Sequence, residues 1–154
     1  MAKAFWLVKT EPEVYSIDDL RRDRVTAWDR VRNHQAKLSL RDGMRDGDRV
    51  LVYHSNTEPT GVVGLAVVDG EAIADETQFR KGDDAFEPRA TREAPVWWAR
   101  RLRFESKFAS CVDLARLRAE PALASMKLLA RGNRLSVLPV TKAEFDRIER
   151  MGGV

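Results

Sequence analysis

Cysteine is almost missing from this chain of 154 residues, in which Cys111 stands alone. One cysteine cannot form an internal disulfide framework or a cysteine-rich zinc site, so neither is expected to hold the fold. Disulfides are also rare in reducing compartments. We therefore expect a cytoplasmic protein, or a nuclear one if the cell is eukaryotic.

Long apolar runs are lacking too. No stretch approaches the roughly 18 apolar residues that suggest a membrane-spanning helix. The N-terminus shows no basic region followed by an apolar segment and a cleavage site. No membrane partner is expected.

Catalytic signatures are equally scarce. The chain has two histidines, His34 and His54, and no HxE, CxxC, GxSxG or glycine-rich phosphate loop. We expect a protein that is not an enzyme and that needs no metal or cofactor. One enzymatic alternative stays open, a small nuclease or hydrolase using either histidine as a base near Asp29 or Glu11.

Charge is present and unevenly distributed. Through Thr77 the chain has 11 basic and 14 acidic residues, and from Gln78 onward it has 16 and 10, within a net charge of +3. A basic second half attracts polyanions. An arginine-rich surface that is merely solvated explains the same counts.

Alternating and apolar segments predict the strands. They are residues 5–8, 49–54, 62–68, 97–108 and 134–139. Gly64 inside the third segment predicts a bulge or a close backbone approach, and Asp69-Gly70 predicts a turn. The fourth segment has a basic face (Arg101, Arg103 and Lys107), which is either solvated or in contact with phosphates.

Capping patterns predict the helices. Ser16 and Ser110 each precede an Asp-Leu pair by one turn, and Thr141 with Glu144 forms a capping box. A longer helix is expected from Val31 to about Met44. Residues 75–95 read as a long loop with at most one helical turn near residues 76–79.

Short strands interleaved with short helices, without regular alternation, predict an α+β fold. We expect one domain over residues 1–154, a small barrel of five or six strands flanked by short helices.

Residues 28–37, WDRVRNHQAK, combine an indole, two arginines, two amides and a histidine in ten positions. This composition is typical of a lined pocket. The alternative is an amphipathic helix whose polar residues cap and solvate it.

Four motifs together resemble the EVE domain family: WLVKTEP (6–12), WDRVRNHQAK (28–37), YHS (53–55) and RLSVLPV (134–140). The resemblance implies a PUA-like fold, a curled β-barrel flanked by helices and related to the YTH readers of methylated RNA. It also implies binding of a modified base, methylated or hydroxymethylated, which is flipped out of DNA or RNA into an aromatic pocket. The chain departs from the family pattern at Arg30, where glycine is usual, at His34, where tyrosine is common, and at Lys37, where arginine is usual.

The resemblance and the side-chain chemistry together define candidate site residues. Aromatic walls are expected from Trp6, Trp28 and Tyr53, because base stacking on an aromatic ring offsets the cost of flipping. The remaining members of the base pocket are Lys9, Thr10, Arg32, Asn33, His34, Gln35, His54 and Ser55. Phosphate contacts are expected from Lys9, Arg32, Lys37, Arg101 and Arg103.

We expect a monomer that binds modified DNA or RNA. A protein-interaction module is the third hypothesis, besides the reader and the hydrolase.

Overall fold

Six strands and four helices make up the computed structural model, which describes residues 3–153. The strands are β1 (Phe5–Thr10), β2 (Val25–Trp28), β3 (Arg49–His54), β4 (Gly61–Ala74), β5 (Trp98–Asp113) and β6 (Val137–Val140). The helices are α1 (Ile17–Asp23), α2 (His34–Leu38), α3 (Leu114–Ala119) and α4 (Lys142–Gly152). A wide π-type turn (Ser39–Gly43) follows α2, and short 3-10 turns cover Glu76–Phe79, Pro121–Leu123 and Lys127–Leu129.

The strands form one mixed sheet in the order β2-β5-β4-β3-β1-β6. β1 pairs in parallel with β3, and the other ladders are antiparallel. The two edges are β2 and β6, and no ladder joins them within the described residues. The predicted α+β class and strand number are confirmed, although hydrogen bonds do not close the sheet into a complete barrel.

Both faces of the sheet carry a hydrophobic core, because successive side chains of a strand point to opposite sides. On one face Trp6 and Val8 of β1 pack with Leu20 of α1 and with Leu40. On the other face Leu7 packs with residues of α3 and α4, including the fully buried Phe145. The central strands therefore read as nearly continuous apolar runs.

The predicted caps of α1 and α4 are confirmed. The Ser16 hydroxyl accepts from the Asp19 amide, and the Thr141 hydroxyl accepts from the Glu144 amide. The close approach at Gly64 is also confirmed, since a Cβ there would lie 2.6 Å from the Ser106 carbonyl oxygen. The single turn of helix expected near residues 76–79 is present as well.

Two predicted boundaries are wrong because pairing between β4 and β5 continues further than local signals suggest. β4 runs through Asp69-Gly70, where Gly70 has a φ of +87° and the register shifts between Val68 and Ala72. A glycine bulge, not a turn, occupies this position. β5 continues past Ser110 to Asp113, whose carboxylate accepts from the Arg116 amide and caps α3.

A third predicted boundary, that of the helix before the π-type turn, is wrong for a different reason. The helix begins at His34 instead of Val31, since Arg30 is left-handed (φ +63°) and Asn33 is extended. The Asn33 side chain accepts from the Ala36 amide at 3.0 Å and caps the helix. Residues 29–33 are thus a loop between β2 and α2.

Candidate functional site

A cavity of about 430 Å³ lies between the ends of β1 and β2. Three strands separate β1 from β2 in the sheet. Residues of both strands nevertheless line this one space, so the sheet curls until its distant parts face each other. We name it the seam cavity, and its size is that of a small-ligand pocket.

Two aromatic rings form one wall of the seam cavity. Trp28, at the end of β2, is 8% exposed, and its ring lies edge to face with Tyr15, at 6.2 Å between centroids and 88° between planes. The Tyr15 hydroxyl donates to Asp23 at 2.8 Å, and burial raises the pKa of Tyr15, so the ring is neutral at physiological pH. The two perpendicular rings thus form an aromatic corner of the cavity.

The indole N–H of Trp28 differs from its counterparts in the core. The indole N–H groups of Trp6 and Trp97 donate to Asp48 and Glu87, at 3.0 and 3.2 Å. Within residues 3–153 the indole of Trp28 has no such acceptor, which leaves its N–H free to donate to a ligand.

The loop after β2 is fixed by one buried carboxylate, that of Asp75. It accepts from the Arg30 amide at 2.7 Å and from the Arg32 guanidinium at 2.9 Å. It also accepts from the amide and the hydroxyl of Thr77. Burial opposes ionisation of Asp75, but these hydrogen bonds outweigh burial and hold its pKa below the usual value.

The guanidinium group of Arg32 is bound within this network of hydrogen bonds. Besides Asp75, its guanidinium donates to the Thr77 hydroxyl at 3.0 Å and to the Ala85 carbonyl at 2.8 Å, and it lies over the Trp97 ring. Arg32 lines the seam cavity but has little donor capacity left. Its role in the structure is to position the loop.

Asp29 is an acidic residue that lines the seam cavity. It is half-buried, and its pKa is raised by burial and by the nearby charge of Asp75. The Arg30 guanidinium on one side is bound to Asp83 by two hydrogen bonds of 2.8 Å. No side chain in the described part of the chain donates to Asp29, so its carboxyl group is open to a ligand.

The structure brings some predicted site residues together and leaves others elsewhere. Lys9, Thr10, Trp28 and Arg32 line the seam cavity. Thr10 donates its hydroxyl to the Tyr15 carbonyl at 2.7 Å and so ties the end of β1 to the aromatic wall.

The predicted wall residues Trp6 and Tyr53 lie outside the seam cavity. Trp6 is buried in the core with its ring against Gly43, where a Cβ would approach to 2.8 Å. Tyr53 lines a second hollow on the other side of Lys9. His54 accepts from the Ile17 amide at 3.1 Å, and the Ser55 amide donates to the Thr10 carbonyl, so both hold the start of α1 and the end of β1 in place.

The polar residues of α2 do not line the seam cavity either. Asn33 is a helix cap, Gln35 is exposed, and His34 stacks on Trp97 at 4.8 Å. The ammonium group of Lys37 lies 5.3 Å from the same Trp97 ring. These residues line the outside of the loop that supports the cavity.

The basic face of β5 is exposed as predicted. Arg103 lies 3.5 Å from Asp69 and is half-exposed. Arg101 pairs with Ala27 of β2 across the ladder and has no ion pair among residues 3–153.

Sequence reasoning missed Tyr15, Asp29 and Ser136 as lining residues. No sequence pattern marks Tyr15 as a cavity residue, and only the juxtaposition of β1 with β2 reveals its partner Trp28. The signal for Asp29 was its place directly after a tryptophan in a polar loop.

The open mixed sheet, curled around a cavity at its seam, defines a PUA-like domain. The model of one family, the EVE domain, matches residues 4–151, and the chain belongs to that family.

Relatives with names and solved structures are similar over nearly the whole chain. Thymocyte nuclear protein 1 from rat is 37% identical over 94% of this chain and 71% of its own length, and the human protein is 36% identical over 92% and 70%. A hypothetical protein from Leishmania major is 39% identical with a TM-score of 0.92, covering 98% of this chain and 95% of its own.

One solved relative carries a ligand. The crystal structure of human THYN1 protein in complex with 5-methylcytosine containing DNA has a TM-score of 0.89 and 33% identity, covering 97% of this chain and 98% of its own. Among residues 3–153 of the present chain, no helix is both long and apolar enough to cross a membrane, and no group of three or more histidine, cysteine or acidic residues could hold a metal ion.

Proposed function

We propose that this protein reads a modified base, of the methylated cytosine type, which is flipped out of DNA into the seam cavity. The observation that carries this proposal is the pairing of the Tyr15–Trp28 wall with an unpartnered acid, Asp29, in one cavity of about 430 Å³. The human relative bound to 5-methylcytosine DNA supports the choice of base and of nucleic acid.

The energetics suit a base that has left its stack. Flipping costs a few kcal/mol, and stacking on an aromatic ring returns about 1–3 kcal/mol. A methyl group that fills apolar volume adds about 0.8 kcal/mol. Because the methyl contribution is small, the edge of the base has to supply further selectivity.

The carboxyl group of Asp29 is suited to bind the edge of a flipped cytosine. Cytosine presents an exocyclic amino donor beside a ring nitrogen acceptor, and a carboxylate accepts from the amino group. Thymine presents a carbonyl at the same place and would face the oxygens of Asp29 unfavourably.

We also propose that binding is not followed by catalysis. The imidazole of His54 already accepts a hydrogen bond from the Ile17 amide, and burial lowers the pKa of His54. His34 lies flat against Trp97, outside the cavity. Neither histidine faces Asp29 as a catalytic base would face a nucleophile.

The proposal is tested by following the four indole N–H signals in a proton–nitrogen NMR spectrum. Titration with 5-methyl-2′-deoxycytidine should shift the Trp28 signal and leave those of Trp6 and Trp97 unchanged, since theirs are held by Asp48 and Glu87. Thymidine should shift it far less. Trp28→Ala should lower affinity for a methylated oligonucleotide by about 5-fold to 150-fold, as expected for loss of about 1–3 kcal/mol of stacking.

The native fluorescence of the remaining indoles and circular dichroism check that Trp28→Ala stays folded. If the nucleoside moves only signals outside the seam cavity, the reader proposal is wrong. Conversion of a labelled methylated oligonucleotide by wild type, lost in His54→Ala, would favour the hydrolase instead. Capture of a protein partner insensitive to nuclease would favour the interaction module.

A further inference from the structure

A second hollow, of about 520 Å³, lies on the other side of Lys9 from the seam cavity. Its walls come from Tyr53 at the end of β3, from α3 and from the turn at residues 128–133. We name it the basic hollow because its charged lining residues are Lys9, Arg118 and Arg131 and include no acid.

These cations lack partners within the described residues. The side chains of Lys9, Arg118 and Arg131 make no ion pair and no hydrogen bond there, in contrast to Arg30 and Arg32, which are bound to acids. Lys9 is half-buried, and burial lowers its pKa with no acid to restore it. An anion in the hollow would supply the missing negative charge.

The rest of the lining suits a nucleotide more than a bare ion. Leucines 114, 128 and 129 contribute apolar surface, and the Tyr53 ring lies 5.8 Å from the Lys9 ammonium group. Burial raises the pKa of Tyr53, even though Arg118 acts in the opposite direction, so the phenol is neutral and can donate. Cations beside apolar and aromatic surface match a phosphodiester with its sugar or base.

We propose that the basic hollow binds the phosphate and sugar of the nucleotide next to the base held in the seam cavity. This inference rests on the proposed function, and the link is Lys9, which lines both spaces. It changes the expected path of the strand. The phosphate contacts lie at Lys9, Arg118 and Arg131, while Arg32 is occupied by Asp75 and Arg103 lies near Asp69.

The experiment measures how affinity for a short single-stranded DNA with one central 5-methylcytosine depends on salt. Each lost phosphate contact should lower the slope of log affinity against log salt by about 0.7 and weaken binding about fivefold at 0.1 M salt. We expect this of Arg118→Gln and of Arg131→Gln, singly. Affinity for 5-methyl-2′-deoxycytidine, which has no phosphate, should be unchanged in both.

Arg150→Gln is the matched control, since Arg150 is an exposed arginine of α4 that lines neither cavity and has no ion pair within residues 3–153. Arg101→Gln tests the competing path along β5. If Arg101→Gln reduces the salt slope and the hollow variants do not, the phosphates follow β5 and the inference is overturned. It is also overturned if the hollow variants weaken nucleoside binding as much as oligonucleotide binding.

Two further outcomes separate this inference from the proposed function. Equal affinity of wild type for methylated and unmethylated strands, with the slope still reduced by Arg118→Gln, would retain the basic hollow and reject the reader. Competition by inorganic phosphate for the hollow, without any change of the oligonucleotide slope in the variants, would identify a free-phosphate site and reject the nucleic acid.

Discussion

At the scale of single residues, Asp29 works against the stability of the fold. Burial and the charge of Asp75 raise the pKa of Asp29, and together they outweigh the opposing effects of Arg30 and Arg80. A carboxyl group whose pKa is higher in the folded chain than in the unfolded chain binds its proton more tightly when folded. Stability therefore falls as pH rises from the ordinary aspartate pKa through the raised one.

Asp29→Asn should remove this cost. The variant should be more stable than wild type at neutral pH, and the difference should vanish below the ordinary aspartate pKa, where both side chains are neutral. Urea unfolding across the pH range measures it. An Asp29→Asn variant that is less stable than wild type at neutral pH would contradict this prediction.

Affinity for 5-methyl-2′-deoxycytidine should fall about tenfold in Asp29→Ala, the usual loss for a hydrogen bond to a charged group.

At the scale of elements, the loop between β2 and α2 holds its shape through a backbone that most side chains avoid. Arg30 is left-handed, with a φ of +63°, which is the conformation that glycine adopts at no cost. The EVE family resemblance places glycine at this position. The backbone amide of Arg30 donates a hydrogen bond to the Asp75 carboxylate that keeps the loop closed, and its side chain adds a half-exposed ion pair with Asp83.

Comparing Arg30→Gly with Arg30→Ala isolates the backbone contribution, because both variants lose the ion pair. Glycine should be the more stable by about 1 kcal/mol, since alanine keeps the left-handed cost. Denaturation midpoints at equal slope would measure the difference. Arg30→Ala as stable as Arg30→Gly would mean that this backbone stores no strain.

The sequence predicted correctly the helix caps that depend on neighbouring residues alone. Ser16 and Thr141 cap the helices that follow them, because a hydroxyl next to free amides needs no distant partner. Asn33 obeys the same rule, yet it was predicted to contact the base. Its capping role becomes visible once the helix start is known, and that start is set by Asp75, more than 40 positions along the chain.

The candidate site likewise depends on contacts between residues that are far apart in the sequence. Trp28 and Lys9 were predicted and line the seam cavity, whereas Trp6 has the same chemistry and lies in the core. Both indoles belong to the same core cluster, and composition cannot tell which of the two borders the cavity. Tyr15 meets Trp28 across the seam, a contact that no spacing within the sequence announces.

At the scale of the whole molecule, the candidate site lies at the seam, where no ladder joins β1 directly to β2 among residues 3–153. β2 is an edge strand of four residues that pairs with β5 alone. Across the cavity it meets β1 through side chains and not through a ladder. Short edge elements with few backbone partners open more readily than central strands.

A ligand in the seam cavity should therefore stabilise the fold, because it would contact β1 and β2 at the same time. At 100 times its dissociation constant, 5-methyl-2′-deoxycytidine should stabilise the fold by about 2.7 kcal/mol. For a chain of this size that corresponds to a rise in melting temperature of roughly 5–10 °C. Native-state hydrogen exchange should show where the ligand acts, because binding should slow exchange by a larger factor at Val25–Trp28 and at the end of β1 than in the centre of β4.

Thymidine at the same concentration serves as the control, because it lacks the amino group that Asp29 is proposed to bind. Protection that is uniform over the sheet would indicate stabilisation without binding at the seam. Protection limited to α3 and the turn at residues 128–133 would place the nucleoside in the basic hollow. Binding at the seam requires protection of both β1 and β2 that exceeds the protection at the centre of β4, because no ladder joins β1 directly to β2 in the part of the chain that the structure describes.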